Sequence, residues 1–208
     1  MAKYDFLFIG HVTNDILEYQ GKRTPFIGGA AFFSSVAASR SGAKVCVVTK
    51  MARKDFGVLD YLRDEGIEVI AIPSAKTTSI ENTFENDDVD KRRVRLLSRA
   101  EPFSLEDLPP VEAIIYNLAG LFIGDIPNHF IPYLAKKSFV ALDLQGVLRY
   151  SEGGNFSFKD WPEKKDYLPM ITYLKADSQE AEVCTGTDDR KKAARILFDR
   201  GAKEVMIT

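Results

Sequence analysis

The sequence predicts an α/β protein whose mostly parallel sheet is flanked by helices and carries a small β lid. Short apolar segments alternate with helix-like segments along most of the chain, which is the pattern of repeated βαβ units. Two polar segments, 12–27 and 77–98, interrupt that alternation with period-two patterns. We therefore expect one domain over residues 1–208, with the two interrupting segments forming the lid on one side.

Composition and charge narrow the classes of partner. The chain has 208 residues, of which 45% are hydrophobic, so it can bury a full core. Its formal net charge of −2 offers no basic surface for nucleic acid or for an anionic membrane, and a small molecule is the expected partner. No apolar run reaches the roughly 18 residues of a membrane-spanning helix, and the polar start does not match a secretory signal. We expect a cytoplasmic protein.

The predicted elements of the first half begin with the buried strand YDFLFIG, after which HVTNDI forms a loop. A turn at Gly21 suits a short hairpin over residues 15–27. The segment FIGGAAFFSS then opens a helix that continues to Arg40, because Phe32 and Val36 lie at helical spacing. The strand KVCVVTKM, the capped helix DFGVLDYLRDEG and the strand IEVIAIP follow.

Residues 77–98 contain two alternating arms that flank the charged turn NDDVDK. A solvated loop is one interpretation, because charged runs are often only that. An antiparallel hairpin is the other, and we favour it because both arms keep period two and the turn is rich in Asn and Asp.

The second half resumes the alternation after Pro109. Its predicted elements are the strand EAIIYNLAG, the helix NHFIPYLAKK, the strand FVALDLQG, an irregular aromatic stretch from Leu148 to Trp161, the helix PEKKDYLP, the strand ITYLKAD, the helices SQEAEVCT and DDRKKAARILFDRG, and the strand KEVMIT. The last strand reaches Thr208 with no helix after it, and such a sheet would expose a strand face to water. We therefore expect the fold to be incomplete at its C-terminus, with further sequence downstream.

Polar residues follow several predicted strands at the point where each strand ends. In open α/β sheets, ligands bind outside the carboxyl ends of the strands, so these residues are candidates for a binding site. The candidates are Asn14, Asp15, Asn117, Gly120, Asp143, Gln145, Asp177 and Glu180.

Several known motifs are absent. Gly10 is followed by HVTN and not by a dinucleotide-binding fingerprint, and GKRT lacks the upstream glycine of a phosphate-binding loop. Cys46 and Cys184 have no metal-ligating spacing and are predicted to be buried thiols. His11 and His129 are isolated, and we expect each to be a surface or capping residue.

The glycine pair at residues 28–29 has two interpretations. At a helix start, it would let the backbone approach a ligand, and the exposed N–H groups would favour oxygen atoms. It is otherwise a plain helix entry with tight packing. Spacing alone leaves both open.

The segment IGGAAFFSSVAASRSGAKVCVVTKMARKDFG resembles the amino-terminal signature of the ribokinase-like (PfkB) carbohydrate kinases, in which a glycine pair opens a helix. The loop HVTND, a charged hairpin, the mid-chain LDLQG and KADSQEAEVCTG resemble further family segments in the same order and cover nearly all of the chain. The variant GGAAFFS, together with LDLQGVLR, is similar to the branch that includes myo-inositol kinases.

The resemblance implies roles for particular residues. Asp15, Gly28 and Gly29, with Asn14 beside them, would hold hydroxyls of the acceptor. Phe33 stands where ribokinase has an asparagine, which argues against ribose as the acceptor.

A second group would lie on the phosphate side. Glu180 would organise Mg²⁺ through water, Asp177 replaces the usual asparagine of the family, and Asp143 and Gln145 would lie near the phosphates.

The implied function is transfer of the γ-phosphoryl group of ATP, with Mg²⁺, to a hydroxyl of a sugar, cyclitol or nucleoside. The family's Gly-Ala-Gly-Asp run, which supplies an anion hole and an aspartate base, does not occur in these 208 residues, so we expect the base beyond Thr208 and no turnover by this chain alone. The lid would mediate a homodimer. The alternatives are a non-catalytic polyol-binding or dimerisation module and an α/β nucleotide-binding oxidoreductase.

Overall fold

The computed structural model describes residues 3–84 and 92–208. The strands within these residues are β1 Tyr4–Ile9, β2 Thr13–Tyr19, β3 Lys22–Gly28, β4 Val45–Met51, β5 Glu68–Pro73, β6 Ser79–Phe84, β7 Arg92–Ser98, β8 Ala113–Leu118, β9 Phe139–Asp143, β10 Arg149–Glu152, β11 Asn155–Phe158, β12 Tyr173–Ala176 and β13 Glu204–Ile207. The α-helices are α1 Ala30–Arg40, α2 Asp60–Asp64, α3 Phe130–Ala135, α4 Gln145–Leu148, α5 Lys164–Tyr167, α6 Ser178–Thr185 and α7 Arg190–Asp199. Short 3₁₀ segments cover Arg53–Leu59, Leu105–Asp107 and Leu168–Met170.

The main sheet has the strand order β13-β12-β9-β8-β1-β4-β5, and its neighbouring strands pair in parallel. Adjacent residues of β1 point to opposite faces, and Leu7 and Phe8 belong to two different buried apolar clusters. Burial on both faces explains why the central strands are apolar along their whole length. Helix α1 lies on one face through Phe32, and α3, α6 and α7 lie over the cluster of Leu7.

The second sheet, called the lid below, has the order β10-β11-β7-β6-β2-β3. Strands β2 and β3 form the hairpin predicted around Gly21, and β6 pairs antiparallel with β7, as predicted for the arms of 77–98. Strand β2 joins the two hairpins by pairing in parallel with β6. The predicted turn NDDVDK lies outside the described residues. The assignment of the whole chain to one domain stays a prediction.

Several predicted elements differ from the structure. The predicted strand FVALDLQG ends at Asp143, and its last two residues begin the short helix α4. The irregular stretch after Leu148 contains the hairpin β10–β11, whose turn is Gly153–Gly154 with φ values of 58° and 89°. Two glycines with positive φ between short alternating arms favour this turn, so the signal was present in the sequence. HVTNDI is not wholly a loop, because β2 begins at Thr13. The predicted helix DFGVLDYLRDEG is a 3₁₀ segment followed by the short α2.

Two buried polar residues connect the lid to the main sheet. The His11 side chain, predicted to be a surface or capping residue, is fully buried: its Nε2 lies 3.0 Å from the Glu101 carbonyl oxygen and its Nδ1 lies 3.5 Å from Asp125 Oδ2. Asp125 also accepts a hydrogen bond of 2.7 Å from Arg99 Nε, just after β7. The sequence prediction was wrong for His11 because its partners come from distant segments. His129, in contrast, is exposed at the start of α3, as predicted.

The cysteines are buried free thiols, as predicted, and burial raises the pKa of Cys46 to about 12 and that of Cys184 to about 11.

Two apolar side chains of the main sheet are exposed: Met206 of β13 is 59% exposed and Phe139 of β9 is 51% exposed. The expectation of further sequence after Thr208 stays a prediction. Among the described residues, no helix is long and apolar enough to cross a bilayer.

Candidate active site

Two neighbouring clefts lie between the lid and the carboxyl ends of the main strands. The first cleft, of about 600 Å³, lies between the lid and the start of α1, and its lining includes Asp15, Gly29, Phe33, Asn82 and Asp143. The second cleft, of about 990 Å³, lies between β7, β11 and the start of α6, and its lining includes Asp177 and Glu180. The structure thus places several of the predicted site residues in two adjoining spaces.

Asp15 is the buried carboxylate of the first cleft. Because side chains alternate along β2, Asp15 faces the cleft, whereas Asn14 does not line it. The Ile80 backbone N–H donates to Asp15 Oδ1 at 2.8 Å, which fixes the carboxylate. Burial raises the pKa of Asp15 to about 6, despite that hydrogen bond and the positive charge of Arg149. At neutral pH, the carboxylate is therefore an ionised acceptor in a poorly hydrated position.

The glycine pair allows Asp15 and α1 to approach each other closely. A Cβ at Gly28 would overlap Asp15 Oδ2 and lie 2.8 Å from Thr13 Oγ1. Gly29 precedes α1 with φ 97°, and a Cβ there would overlap the His11 carbonyl oxygen. Position 29 therefore requires glycine, because its φ is positive and the clash is with backbone, whereas a side chain at Gly28 would displace the Asp15 carboxylate.

Aromatic side chains line much of the rest of the first cleft. Phe33 is 59% exposed, and its ring meets that of Phe32 edge-on at 5.2 Å. Phe26 of β3 and Phe84 of β6 also line the cleft. The first cleft therefore has the Asp15 carboxylate on one side and largely apolar walls.

Asp143 ends β9 and points to the same space as Lys175 of the neighbouring strand β12. Lys175 Nζ lies 3.4 Å from Asp143 Oδ2, and the Gln145 backbone N–H donates to Asp143 Oδ1 at 3.2 Å. Burial raises the pKa of Asp143, and the positive charge of Lys175 lowers it by a smaller amount.

Asp177 and Glu180 form a reciprocal capping box at the start of α6. The Glu180 backbone N–H donates to Asp177 Oδ1 at 2.7 Å, and the Asp177 N–H donates to Glu180 Oε2 at 2.8 Å. Glu180 is 1% exposed, and burial together with the negative charge of Asp143 raises its pKa to about 7. The capping box therefore holds the Glu180 carboxylate in a buried position near the negative charge of Asp143, where its ionisation is unfavourable.

A hard divalent cation fits these carboxylates chemically, because oxygen ligands are what Mg²⁺ prefers and a positive charge would offset the repulsion between Glu180 and Asp143. Within residues 3–84 and 92–208, three or more His, Cys, Asp or Glu side chains do not group as a metal-ligating cluster. Mg²⁺ commonly keeps several waters and takes its remaining ligands from phosphates. A Mg²⁺ ion that contacts Glu180 only through water would need no cluster of protein ligands, which agrees with the arrangement of these side chains.

Arg149 and Lys175 are site residues that sequence reasoning missed. Arg149 Nε donates to the Leu121 carbonyl oxygen at 2.8 Å, and the guanidinium lies 4.9 Å from the ring centres of both Phe122 and Phe156. Burial lowers the pKa of Arg149 to about 10. Both are charged residues within segments that were singled out in the sequence, LDLQGVLR and YLKAD. No local pattern indicated that their side chains point into the clefts.

Asn82 of β6, which was also missed, lines the first cleft and is 8% exposed. The only sequence signal for it was the alternation of side chains along the predicted hairpin.

Two of the predicted candidates lie outside the two clefts. Asn117 lines a separate space of about 540 Å³ on the main sheet, beside Asp143. Gly120 packs against Gly146, since a Cβ at Gly120 would lie 3.1 Å from the Gly146 Cα.

The fold and the clefts define a class of protein: an α/β protein with clefts beneath a β lid, at the carboxyl ends of a mostly parallel sheet, where proteins of this architecture bind their ligands. The comparisons with known proteins specify it further. A pyrophosphate-dependent kinase of the ribokinase family, solved with sulfate, is 38% identical with a TM-score of 0.91, over 98% of this chain and 72% of that one. The chain belongs to the ribokinase family.

Two further relatives agree with this assignment. A pyrophosphate-dependent kinase of the same family, complexed with a pyrophosphate analogue and myo-inositol, is 37% identical with a TM-score of 0.90, over 98% of this chain and 72% of that one. A cytidine kinase of Thermococcus kodakarensis is 28% identical over 216 residues, which is 98% of this chain and 72% of the relative. No protein-family profile matches the chain.

These findings confirm the predicted family, including its similarity to the inositol kinase branch, the predicted fold and the assignment to the kinases. The oxidoreductase alternative is wrong. The use of ATP, the Mg²⁺ ion, the homodimer, the cytoplasmic location, the lack of turnover by this chain and the residue roles stay predictions.

Proposed function

We propose that the first cleft binds a cyclitol, myo-inositol or a close relative, and presents one of its hydroxyls to a phosphoryl donor. The observation that carries this proposal is the buried Asp15 carboxylate, held at the base of the cleft by the Ile80 N–H. An ionised carboxylate accepts hydrogen bonds from two neighbouring hydroxyls, and these charge-assisted bonds are strong in a poorly hydrated position.

The walls of the first cleft fit the same kind of ligand. A cyclitol has hydroxyls around its ring and apolar C–H faces. Phe26, Phe33 and Phe84 offer apolar surface to those faces, and the Asn82 amide offers both a donor and an acceptor to a hydroxyl. A relative solved with myo-inositol supports this choice of acceptor.

For the donor, we propose inorganic pyrophosphate in place of the predicted ATP. Lys175 and Arg149 supply two positive charges that match a compact polyanion, and relatives 36–38% identical are pyrophosphate-dependent. In the proposed reaction, the acceptor hydroxyl oxygen bonds to one phosphorus, the bridging P–O bond breaks, and the leaving orthophosphate departs as HPO₄²⁻ with the proton that the hydroxyl loses. Mg²⁺ beside Glu180 would supply charge neutralisation at the phosphates.

Calorimetric titration with myo-inositol tests the acceptor. We expect binding by the wild-type chain, and an affinity at least about tenfold lower for Asp15→Asn, because the neutral amide replaces a charged acceptor. Asp60→Asn removes the same charge from an exposed position on α2 and should bind normally. Ribose and cytidine serve as competing acceptors. An Asp15→Asn variant that binds myo-inositol as well as the wild type contradicts the proposed acceptor site.

Titration with pyrophosphate and with ATP, each with Mg²⁺, tests the donor separately. We expect pyrophosphate to bind and equimolar ATP not to displace it. Binding of ATP without binding of pyrophosphate would restore the original donor prediction and leave the acceptor assignment intact.

A further inference from the structure

Arg92 of the lid stands at the boundary between the two clefts. It lines both, together with Val94, Gln145, Arg149 and Phe156. Arg92 is the first residue of β7 and lies opposite Phe84 of β6, so the lid determines its position. Arg149, in contrast, lies directly after α4 and is bonded to the Leu121 carbonyl at the main sheet. Arg92 and Arg149 thus line the same space, but Arg92 belongs to a strand of the lid and Arg149 is hydrogen-bonded at the main sheet.

The two arginines are a like-charged pair. Burial is the main cause that lowers the pKa of Arg149, and the positive charge of Arg92 adds a smaller contribution, whereas the negative charges of Glu180, Asp143 and Asp125 oppose both. Among residues 3–84 and 92–208, Asp and Glu side chains do not form an ion pair with either guanidinium within 4.0 Å. Arg92 is exposed and Arg149 is partly buried, and an anion bound between them can serve as the counterion of both.

The chemistry of the anion follows from the geometry of guanidinium. Its fork of N–H donors matches two oxygens of one phosphate, and two forks can hold a phosphoryl group from two sides. The first cleft is also lined by the carboxylates of Asp15 and Asp143, and the second by those of Asp177 and Glu180, and these groups would repel an anion placed away from the arginines. The space between Arg92 and Arg149 is therefore the favoured position for a phosphate.

We propose that Arg92 is a phosphate-binding residue of the lid, which holds the transferred phosphoryl group against Arg149 where the two clefts meet. This inference rests on the proposed function, since it concerns the donor phosphates. It also links the lid to the donor: an anion bound by both arginines neutralises their repulsion and favours the lid position that covers the acceptor.

The test compares the wild-type chain with Arg92→Gln and Arg92→Lys by calorimetric titration with magnesium pyrophosphate at about 0.1 M salt, where surface charges are screened. We expect Arg92→Gln to lower the pyrophosphate affinity about tenfold or more, and Arg92→Lys to retain part of it. Arg63→Gln, which removes an exposed arginine of α2 outside both clefts, is the charge-matched control and should leave the affinity unchanged.

Titration of the same variants with myo-inositol separates phosphate binding from a structural role of the lid. We expect the myo-inositol affinity of Arg92→Gln to stay within about twofold of the wild type. Equal losses for both ligands would assign Arg92 a structural role and overturn the inference. A wild-type chain that binds pyrophosphate, with an Arg92→Gln variant that binds it equally well, overturns this inference alone. Absence of pyrophosphate binding by the wild type overturns both it and the proposed donor.

Discussion

Asp15, the proposed acceptor-binding residue, lowers the stability of the folded chain. Burial raises its pKa to about 6, so the folded chain favours the protonated carboxyl, whereas the proposed hydroxyl contacts need the ionised form. For an acid with a raised folded pKa, the associated stability is fully present below the unfolded value and declines as pH rises through the folded value. Asp15 therefore lowers the free energy of unfolding progressively between pH 4 and pH 6, and the full loss persists above that range.

We expect Asp15→Asn to raise the free energy of unfolding at pH 8 by about 2 kcal/mol, since the neutral amide avoids burying a charge. At pH 5 about half of the gain should remain, and near pH 3 little of it. Urea unfolding at the three pH values measures this. A variant that is less stable than the wild type at pH 8 would show that contacts of the carboxylate outweigh its desolvation.

Predictability at the residue scale depends on whether a residue's partners are local. Asp15, Gly29 and Glu180 were found because they occur in recognisable segments, and the structure places them at the clefts. Arg149 and Lys175 were missed because their neighbours come from other strands. His11 was misjudged for the same reason, since its partners Glu101 and Asp125 lie far along the chain.

At the scale of elements, the start of α1 is the position with the strictest steric requirement. Gly29 adopts φ 97°, and any Cβ there would overlap the His11 carbonyl oxygen. Backbone atoms on both sides leave little room for relaxation.

We expect Gly29→Ala to lower the free energy of unfolding by about 3 kcal/mol, because φ strain and the clash with backbone add together. Gly57→Ala is the matched control: its φ is not positive and nothing lies within 4 Å of the added Cβ, so its effect should stay within about 0.5 kcal/mol. Thermal and urea unfolding compare the two. Similar stability of both variants would mean that the entry of α1 adjusts without cost.

Elements with local signals were predicted best. The helix SQEAEVCT has the predicted bounds, because Asp177 and Glu180 supply its capping box and Gly186 follows it in a left-handed conformation. The hairpin β10–β11 was missed, because its arms have only four residues each and the Gly153–Gly154 turn was not weighed against the aromatic character of the stretch.

At the scale of the whole molecule, Asp125 joins segments that are distant in the sequence. It is fully buried, accepts hydrogen bonds from the Leu121 and Phe122 backbone N–H groups at 3.0 and 2.9 Å, and pairs with Arg99. His11 lies on its other side. Although burial alone would raise the pKa of Asp125, His11 and Arg99 lower it below its ordinary value.

We expect Asp125→Ala to lower the free energy of unfolding by about 3–5 kcal/mol, because it leaves Arg99 and two buried N–H groups without their acceptor. Asp199→Ala removes an exposed carboxylate paired with Arg195 and should cost less than about 1 kcal/mol. Urea unfolding of both variants measures the difference. An Asp125→Ala variant as stable as Asp199→Ala would contradict the role of this cluster in joining the lid to the main sheet.

The sequence by itself determined the alternation of strands and helices, the two lid hairpins, and the segments that carry Asp15, the glycine pair, Asp143 and Glu180. These features depend on residue periodicity, turn residues and helix caps, which act over a few neighbouring positions. Only the tertiary structure decided that Arg92 and Arg149 line the same clefts, that Lys175 faces Asp143, and that His11 is buried. Those contacts follow from the order of strands in two sheets, and pairing between distant strands is a property of the folded chain that no local pattern encodes.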